Sequence, residues 1–262
     1  MAEPSGGESV ITRAVRILDA FGPETTVLSL SEVSRRARLP LATTARLVKE
    51  MTRHGLLDRD EHRRVLIGTR MWELAERASP VKDLREAALQ HMGDLHAVVG
   101  HSTQLGVLEG EEVLFVERLT APGSVVNVTK IAGRLPLNAS SAGLVLLAHA
   151  PDGLRERVLR GPLRSYTPHT LDREAALRAE LAEVRRRGFA FCPGHIHPEA
   201  TGVAVPVYRG RRVVAALGLV VPNDEEAWAF SRPLVLAGLA LGRALEPNGA
   251  RTGERVLRSG LR

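Results

Sequence analysis

Apolar positions near the start of the chain repeat with a helical period. In VITRAVRILDAF, Val10, Ala14, Ile17, Leu18 and Phe21 share one face, and Gly22-Pro23 ends the run. Ser29 stands three residues before Glu32, the spacing of a capping box. It predicts a helix from Leu30 to about Ala37, with Leu30, Val33 and Ala37 inward. Arg38-Leu39-Pro40 breaks that helix. LATTARLVKEMTRHG then starts another, with Thr44, Leu47, Val48 and Met51 on its inner face and Gly55 as its stop. Leu56-Leu57 and Val65-Leu66-Ile67 read as short strands about the polar turn Asp60-Glu61-His62-Arg63. Two helices joined by a short turn and followed by a hairpin form a winged helix-turn-helix.

Past residue 70 the pattern changes twice. Residues 71–79 predict a short amphipathic helix, Pro80 interrupts it, and a longer helix fits about 81–99. From residue 101 short apolar or alternating runs predict strands: STQLGVLEG, EEVLFVERL, VVNVT, FAFC, ATGVAVPVY and VVAALGLVV. Helical patterns at 140–149, 171–187 and 229–245 separate or follow them. The class is α+β, an N-terminal winged helix-turn-helix joined by a helical linker to a larger domain with an antiparallel sheet.

Composition narrows the function. With 262 residues, 44% hydrophobic and 25% charged, the chain can bury two cores. Only 3% of residues are aromatic, so Leu, Val and Ala must fill them. No apolar run reaches the roughly 18–20 residues of a membrane helix, and MAEPSGGES has no secretory apolar core. A cytoplasmic protein without membrane attachment is expected. The single cysteine, Cys192, excludes an intrachain disulfide and a multi-cysteine zinc site.

Charge points to a polyanion. The chain is +6 overall, and the segment Arg35–Arg70 holds ten cations against Glu50, Asp58, Asp60 and Glu61. A compact basic segment on a helix-turn-helix is the electrostatic footprint of a nucleic-acid reader. The helix 41–54 would be about 21 Å long. Leu41, Ala42, Thr43, Ala45, Arg46, Lys49 and Arg53 lie on its outer side. Small residues at its start let it approach base edges, Thr43 can bond a phosphate or base, and Arg46 can reach guanine or the backbone. Arg36 precedes the turn, and Arg59, Arg63 and Arg64 fall on the wing, where they suit phosphates or a narrow minor groove. A protein-interaction module with a small sheet is the alternative reading of the same elements.

Other chemistry is thin. His195-Ile196-His197 places two imidazoles on one face of an extended segment, but Gly194 and Pro198 flank it and only Glu199 and Cys192 stand near. A loop near a pocket is the better reading, and no metal site is expected. No P-loop, dinucleotide fingerprint, nucleophile elbow or H-E-x-x-H occurs, so neither cofactor nor catalytic residue is assigned. The Arg185-Arg186-Arg187 run complements the end of a helix dipole.

Taken together, the stretches RAVRILDAF, LSLSEVSRRARLPLATTARLVKEMTRHGLL, RLPLNASSAGLVLLA and ELAEVRRRGFAFCPGHIHPEATGVAVPVYRGRRVVAALGLVVP make the chain resemble the IclR family of bacterial transcriptional regulators. The resemblance runs from Val10 to Leu245. It implies a GAF-like effector domain behind the winged reader, and homodimers, often paired into dimers of dimers, on partly palindromic operators. It also places an effector pocket at Asn138, Ser140, Ser141, Ala142, Gly143, Cys192, Ala200, Gly202, Gly218 and Val220. The family pattern has His at Asn138, Lys at Leu144, an acid near Cys192, Cys near Gly202 and serines at Gly218 and Val220. Losing those groups implies a ligand less polar than a small oxoacid, or a pocket of little ligand function.

The expected organisation is a flexible start (1–8), the DNA-binding domain (9–69), a linker helix (70–80), the effector and oligomerisation domain (81–246) and a flexible basic tail (247–262). The expected activity is that of a regulator, of repressor type. It binds a double-stranded DNA operator under control of a small-molecule effector. A sensor or adaptor without DNA readout, and an enzyme with an accessory helix-turn-helix, are the alternatives.

Overall fold

The computed structural model describes residues 8–22, 25–78, 80–121, 123, 125, 127 and 129–246. The chain divides into two compact units, one reaching Lys82 and the other starting at Asp83. The expected linker 70–80 falls within the first. The expected tail lies outside the described residues, and so does all of the expected flexible start except Glu8, which ion-pairs with Arg16 at 2.8 Å.

In the first unit, α1 (Val10–Leu18) is capped by Ser9, whose Oγ accepts from Thr12 N. It ends three residues before Phe21. β1 (Val27–Leu28), absent from the sequence reading, leads into α2 (Leu30–Ala37). The capping box forms: Glu32 N donates to Ser29 Oγ, and Ser29 N donates to Glu32 Oε2 at 2.8 Å. The Ser29 hydroxyl and amide hold the Glu32 carboxyl below its ordinary pKa. Arg38 closes α2 in the left-handed conformation at φ 53°, and buried Leu39 anchors the turn. Then α3 (Leu41–Arg53) buries Thr44, Leu47, Val48 and Met51, the face its periodicity predicts. β2 (Leu57–Arg59) and β3 (Val65–Ile67) form the wing, and β1 adds to β3 to give an antiparallel sheet of order β1-β3-β2. Ile17, Leu28, Val33, Val48, Leu57 and Val65 make a nearly dry core beneath it.

Two helices follow, α4 (Thr69–Ala78) and α5 (Pro80–Val99). In the second unit, α5 buries Leu84, Ala88, Met92, Leu95 and Val99, the stripe read from the sequence. Strands β4 (Ser102–Glu109), β5 (Glu112–Leu119) and β6 (Arg134–Pro136) follow. Residues 125, 127 and 129 are not in a strand, which corrects the expected VVNVT strand at its described positions. Next come α6 (Ser141–Ala148), α7 (Asp152–Arg160), α8 (Glu174–Arg187), β7 (Ala190–Pro193), β8 (Ala200–Arg209), β9 (Arg212–Pro222), a 3-10 turn at Ala227–Phe230 and α9 (Ser231–Ala244). The strands form one antiparallel sheet of order β6-β5-β4-β9-β8-β7.

α6 is apolar on every side, and all eight of its residues are buried between the sheet and α8. Its docking depends on Gly143: a Cβ there would lie 2.5 Å from the Leu137 carbonyl oxygen. α9 packs on β8 and β9. Its Gly238 faces Val205, whereas the neighbouring Ala204 belongs to the core around α6, so the two helices cover opposite faces.

Candidate functional site

Two features stand out, one per unit. On the first, α3 presents Leu41, Ala42, Arg46, Lys49 and Arg53 to solvent, while Thr43 and Ala45 are half-buried. Arg53 is tied to Glu50 at 2.7 Å. Arg46 and Lys49 form no hydrogen bond or ion pair with any described residue. They are two exposed cations one helical turn apart, with the neighbouring Glu50 carboxylate acting on Lys49 through space.

The other cations of the set are partly used. Arg36 donates to the Ala20 carbonyl at 3.1 Å and ties α2 to the end of α1. Arg59 donates to the Arg63 carbonyl at 2.7 Å, and Arg64 Nε donates to Asp60 Oδ2 at 2.7 Å. The Asp60 carboxylate also accepts the main-chain N–H of His62 and Arg64. These bonds shape the tip of the wing and hold Arg63 at φ 61° with its side chain exposed and unpaired among the described residues. The three wing arginines therefore differ: two build the wing and the third is presented by it.

Missed in the sequence is a concavity of about 340 Å3 beside the start of α3, lined by Glu8, Arg13, Arg16, Arg38, Leu39, Pro40 and Thr43. Pro40 caps α3 without a side-chain bond, so the first-turn N–H groups are not capped by their own chain. Arginines at an uncapped helix N-terminus suit a phosphate. Arg13 and Arg16 belong to α1, and no local signal links them to α3.

On the second unit, a cavity of about 40 Å3 lies among Gln104 of β4, Asn127, Thr129, the start of α6, Cys192 of β7, the loop 195–197 and the facing strands β8 and β9. Of the residues placed in the effector pocket, Ser140, Ser141, Cys192, Ala200, Gly202 and Val220 line it. Gly202 is glycine because a Cβ would come within 2.9 Å of Ser141 Oγ. Asn138, Ala142, Gly143 and Gly218 do not line it. The buried Asn138 amide instead donates to the carbonyls of Arg164 and Leu171, at 2.9 and 2.8 Å. Ala142 is enclosed in α6, and Gly143 N–H is spent on Ser140 Oγ at 3.1 Å. Gly218 faces the Gln104 side chain across the β4–β9 pair.

Gln104, Asn127, Thr129, Leu135, Ala139, His195, Ile196 and His197 are lining residues that the pocket expectation lacked. The sequence reading put the loop 195–197 near a pocket without assigning it to the lining, and here it forms part of the wall. Among the described residues no Lys, Arg, Asp or Glu lines the cavity. Among the described residues no three His, Cys, Asp or Glu side chains converge as metal ligands. Burial pushes the Cys192 thiol pKa well up. Burial, with His169 nearby, lowers His195 to about 4.

An exposed basic helix on a winged helix-turn-helix, followed by an α+β unit with a pocket between its sheet and α6, defines a ligand-responsive DNA-binding regulator. Residues 10–61 match the IclR helix-turn-helix domain, and residues 77–226 match the bacterial transcriptional regulator IclR C-terminal domain. The HTH-type transcriptional regulator XynR of Escherichia coli is 31% identical over 242 residues, covering 90% of this chain and 96% of that one. The transcriptional repressor IclR of Escherichia coli is 25% identical over 194 residues, 72% of this chain and 71% of that one. A crystal structure of an IclR homologue from Microbacterium hydrocarbonoxydans, complexed with 4-hydroxybenzoate, is 42% identical with a TM-score of 0.88 and covers 90% of this chain and 99% of that one. The chain belongs to the IclR family of bacterial transcriptional regulators. Its first unit is the DNA-binding module, and its second is the effector-binding domain. Among the described residues no helix is long and apolar enough to cross a membrane.

Proposed function

We propose that this regulator is a cytoplasmic repressor, not a catalyst. In this reading α3 enters the major groove of its operator, and a small aromatic acid in the second unit's cavity weakens that binding. Arg46 and Lys49 are the groups that meet the nucleic acid. Arg46 reaches a base edge or phosphate, Leu41 and Ala42 approach the bases, and Arg63 takes a phosphate from the wing. Arg13, Arg38 and the open end of α3 add a phosphate contact beside the groove. The protein acts as a homodimer, or a dimer of dimers, on two half-sites a whole number of turns apart, each turn roughly 10–10.5 bp.

The observation that carries the reading is the unpaired, exposed charge of Arg46 and Lys49 on the second helix of the helix-turn-helix. The effector class rests on the uncharged wall of the cavity, with serine hydroxyls at the start of α6, and on the related regulator that holds 4-hydroxybenzoate. The test is to sequence the duplexes that the purified protein selects from random DNA, then titrate them with and without 4-hydroxybenzoate. One recurrent half-site, bound less tightly when the acid is present, is the expected result. Selection of no sequence overturns the DNA readout, and unaltered binding in the acid overturns the effector class.

A further inference from the structure

Two polar atoms of the cavity wall are buried without a partner among the described residues: Nδ1 of His195 and Nδ2 of Asn127. His195 is only 9% exposed. Its backbone is pinned, since the Thr170 hydroxyl donates to the His195 carbonyl and the Thr167 hydroxyl donates to the Gly194 carbonyl at 2.6 Å. Asn127 is oriented by Thr129, whose main-chain N–H donates to Asn127 Oδ1 at 3.0 Å. That bond fixes the oxygen and leaves the amide NH2 as an unused donor. Buried polar groups are nearly always paired, so two open ones in a single cavity call for a ligand atom.

The two are complementary. The Asn127 NH2 can only donate. His195 stays uncharged at neutral pH, held there by burial and by His169. With its proton on Nε2, its Nδ1 can only accept. A group that gives one hydrogen bond and takes another satisfies both, and a hydroxyl does so. In that tautomer a carboxylate cannot give a proton to Nδ1, and an apolar ring edge satisfies neither.

We propose that His195 and Asn127 form a hydroxyl-recognition pair, in which the ligand O–H donates to His195 Nδ1 and its oxygen accepts from Asn127 Nδ2. The inference rests on the reading of the cavity as a site for a small aromatic acid and adds to it the residues that select a hydroxylated ring over a bare one. Leu135, Ile196 and Val220 offer apolar contact to the ring, and the hydroxyls of Ser140 and Ser141 are left for the acid end.

The test titrates the full chain calorimetrically with 4-hydroxybenzoate and with benzoate. The unmodified protein is expected to bind the hydroxylated acid at least about tenfold more tightly, because the bare ring leaves both polar atoms open. His195→Phe and Asn127→Leu should each abolish the preference, so that the hydroxylated acid loses far more affinity than benzoate does. Each variant is first checked for an unchanged melt, and the Asn127 variant decides the matter should the His195 variant not fold. Equal affinity of the unmodified protein for the two acids overturns the hydroxyl pair and leaves the aromatic-acid reading standing. Binding of neither acid overturns that reading and the pair with it. A preference that survives in a folded variant overturns the assignment to that residue.

Discussion

Cys192 and His195 sit in the same wall, and burial acts on them in opposite directions. The thiol is 2% exposed, and desolvation keeps it protonated. A protonated thiol is a poor nucleophile, so the native protein is expected to resist iodoacetamide and to label only after denaturation. Uptake of one equivalent by folded protein, measured by intact mass, would contradict this. The imidazole is held neutral down to about 4, below its ordinary 6.5. As pH falls from 6.5 towards 4, the unfolded chain takes up a proton that the folded protein refuses, so stability drops across that window and levels off below it. His195→Gln should flatten the fall in melting temperature between those pH values, and an equally steep fall in the variant would show that other groups cause it. Side-chain roles were partly legible in the sequence. His195 could be placed in a pocket loop because Gly194 and Pro198 flank it, but its open nitrogen depends on what the folded chain fails to offer.

Helices carried the clearest sequence signals because their determinants are local. The Ser29–Glu32 box and the buried stripe of α3 need only neighbours within one turn or two, and both formed as the spacing required. β1 is two residues long and exists only because β3 pairs with it, so no local pattern could reveal it. α7 was likewise missed: its polar face gives little period, and its packing on α8 and α6 sustains it. α6 is set by contact rather than propensity, and Gly143 is its close-approach point. Gly143→Ala would gain in intrinsic helix propensity yet is expected to destabilise the second unit by about 1–3 kcal/mol, the usual cost of forcing an atom into a packed core. Urea unfolding of the variant measures it, and a midpoint at or above that of the unmodified protein would show that α6 can shift away from Leu137.

Across the whole chain, two functions rest on two compact units, so single changes should separate them. Arg46→Ala is expected to weaken operator binding by about 1–3 kcal/mol if the guanidinium reads a base, and to leave effector affinity unchanged. Val220→Phe should show the reverse, with normal operator binding and no response to the acid, because the ring occupies the cavity. Fluorescence anisotropy on labelled duplex and calorimetry with the ligand report the two affinities independently. Loss of both affinities in either variant, with an unchanged melt, would contradict this division of labour. An effector acts only through unequal affinity for the two states of the protein, so Val220→Phe also fixes the ligand-free limit of operator affinity.

The sequence alone determined the reader: helical period, a capping box, a turn and ten clustered cations lie within one short stretch, where order along the chain is nearly order in space. It also supplied the α+β class, since alternation and turn residues mark strands locally. Only the folded structure decided which cations are free: Arg36 finds the Ala20 carbonyl on another helix end, and the shape of the wing tip pairs Arg59 and Arg64 with near neighbours while leaving Arg63 exposed. It alone composed the cavity, whose wall joins Gln104 to Val220 through antiparallel pairing of strands more than a hundred residues apart. The neighbours Asn138 and Ser140 part company there, one buried in hydrogen bonds to a distant loop and the other open to the pocket. Local patterns fix what a segment becomes, whereas the partners of each polar atom are fixed only when remote segments meet.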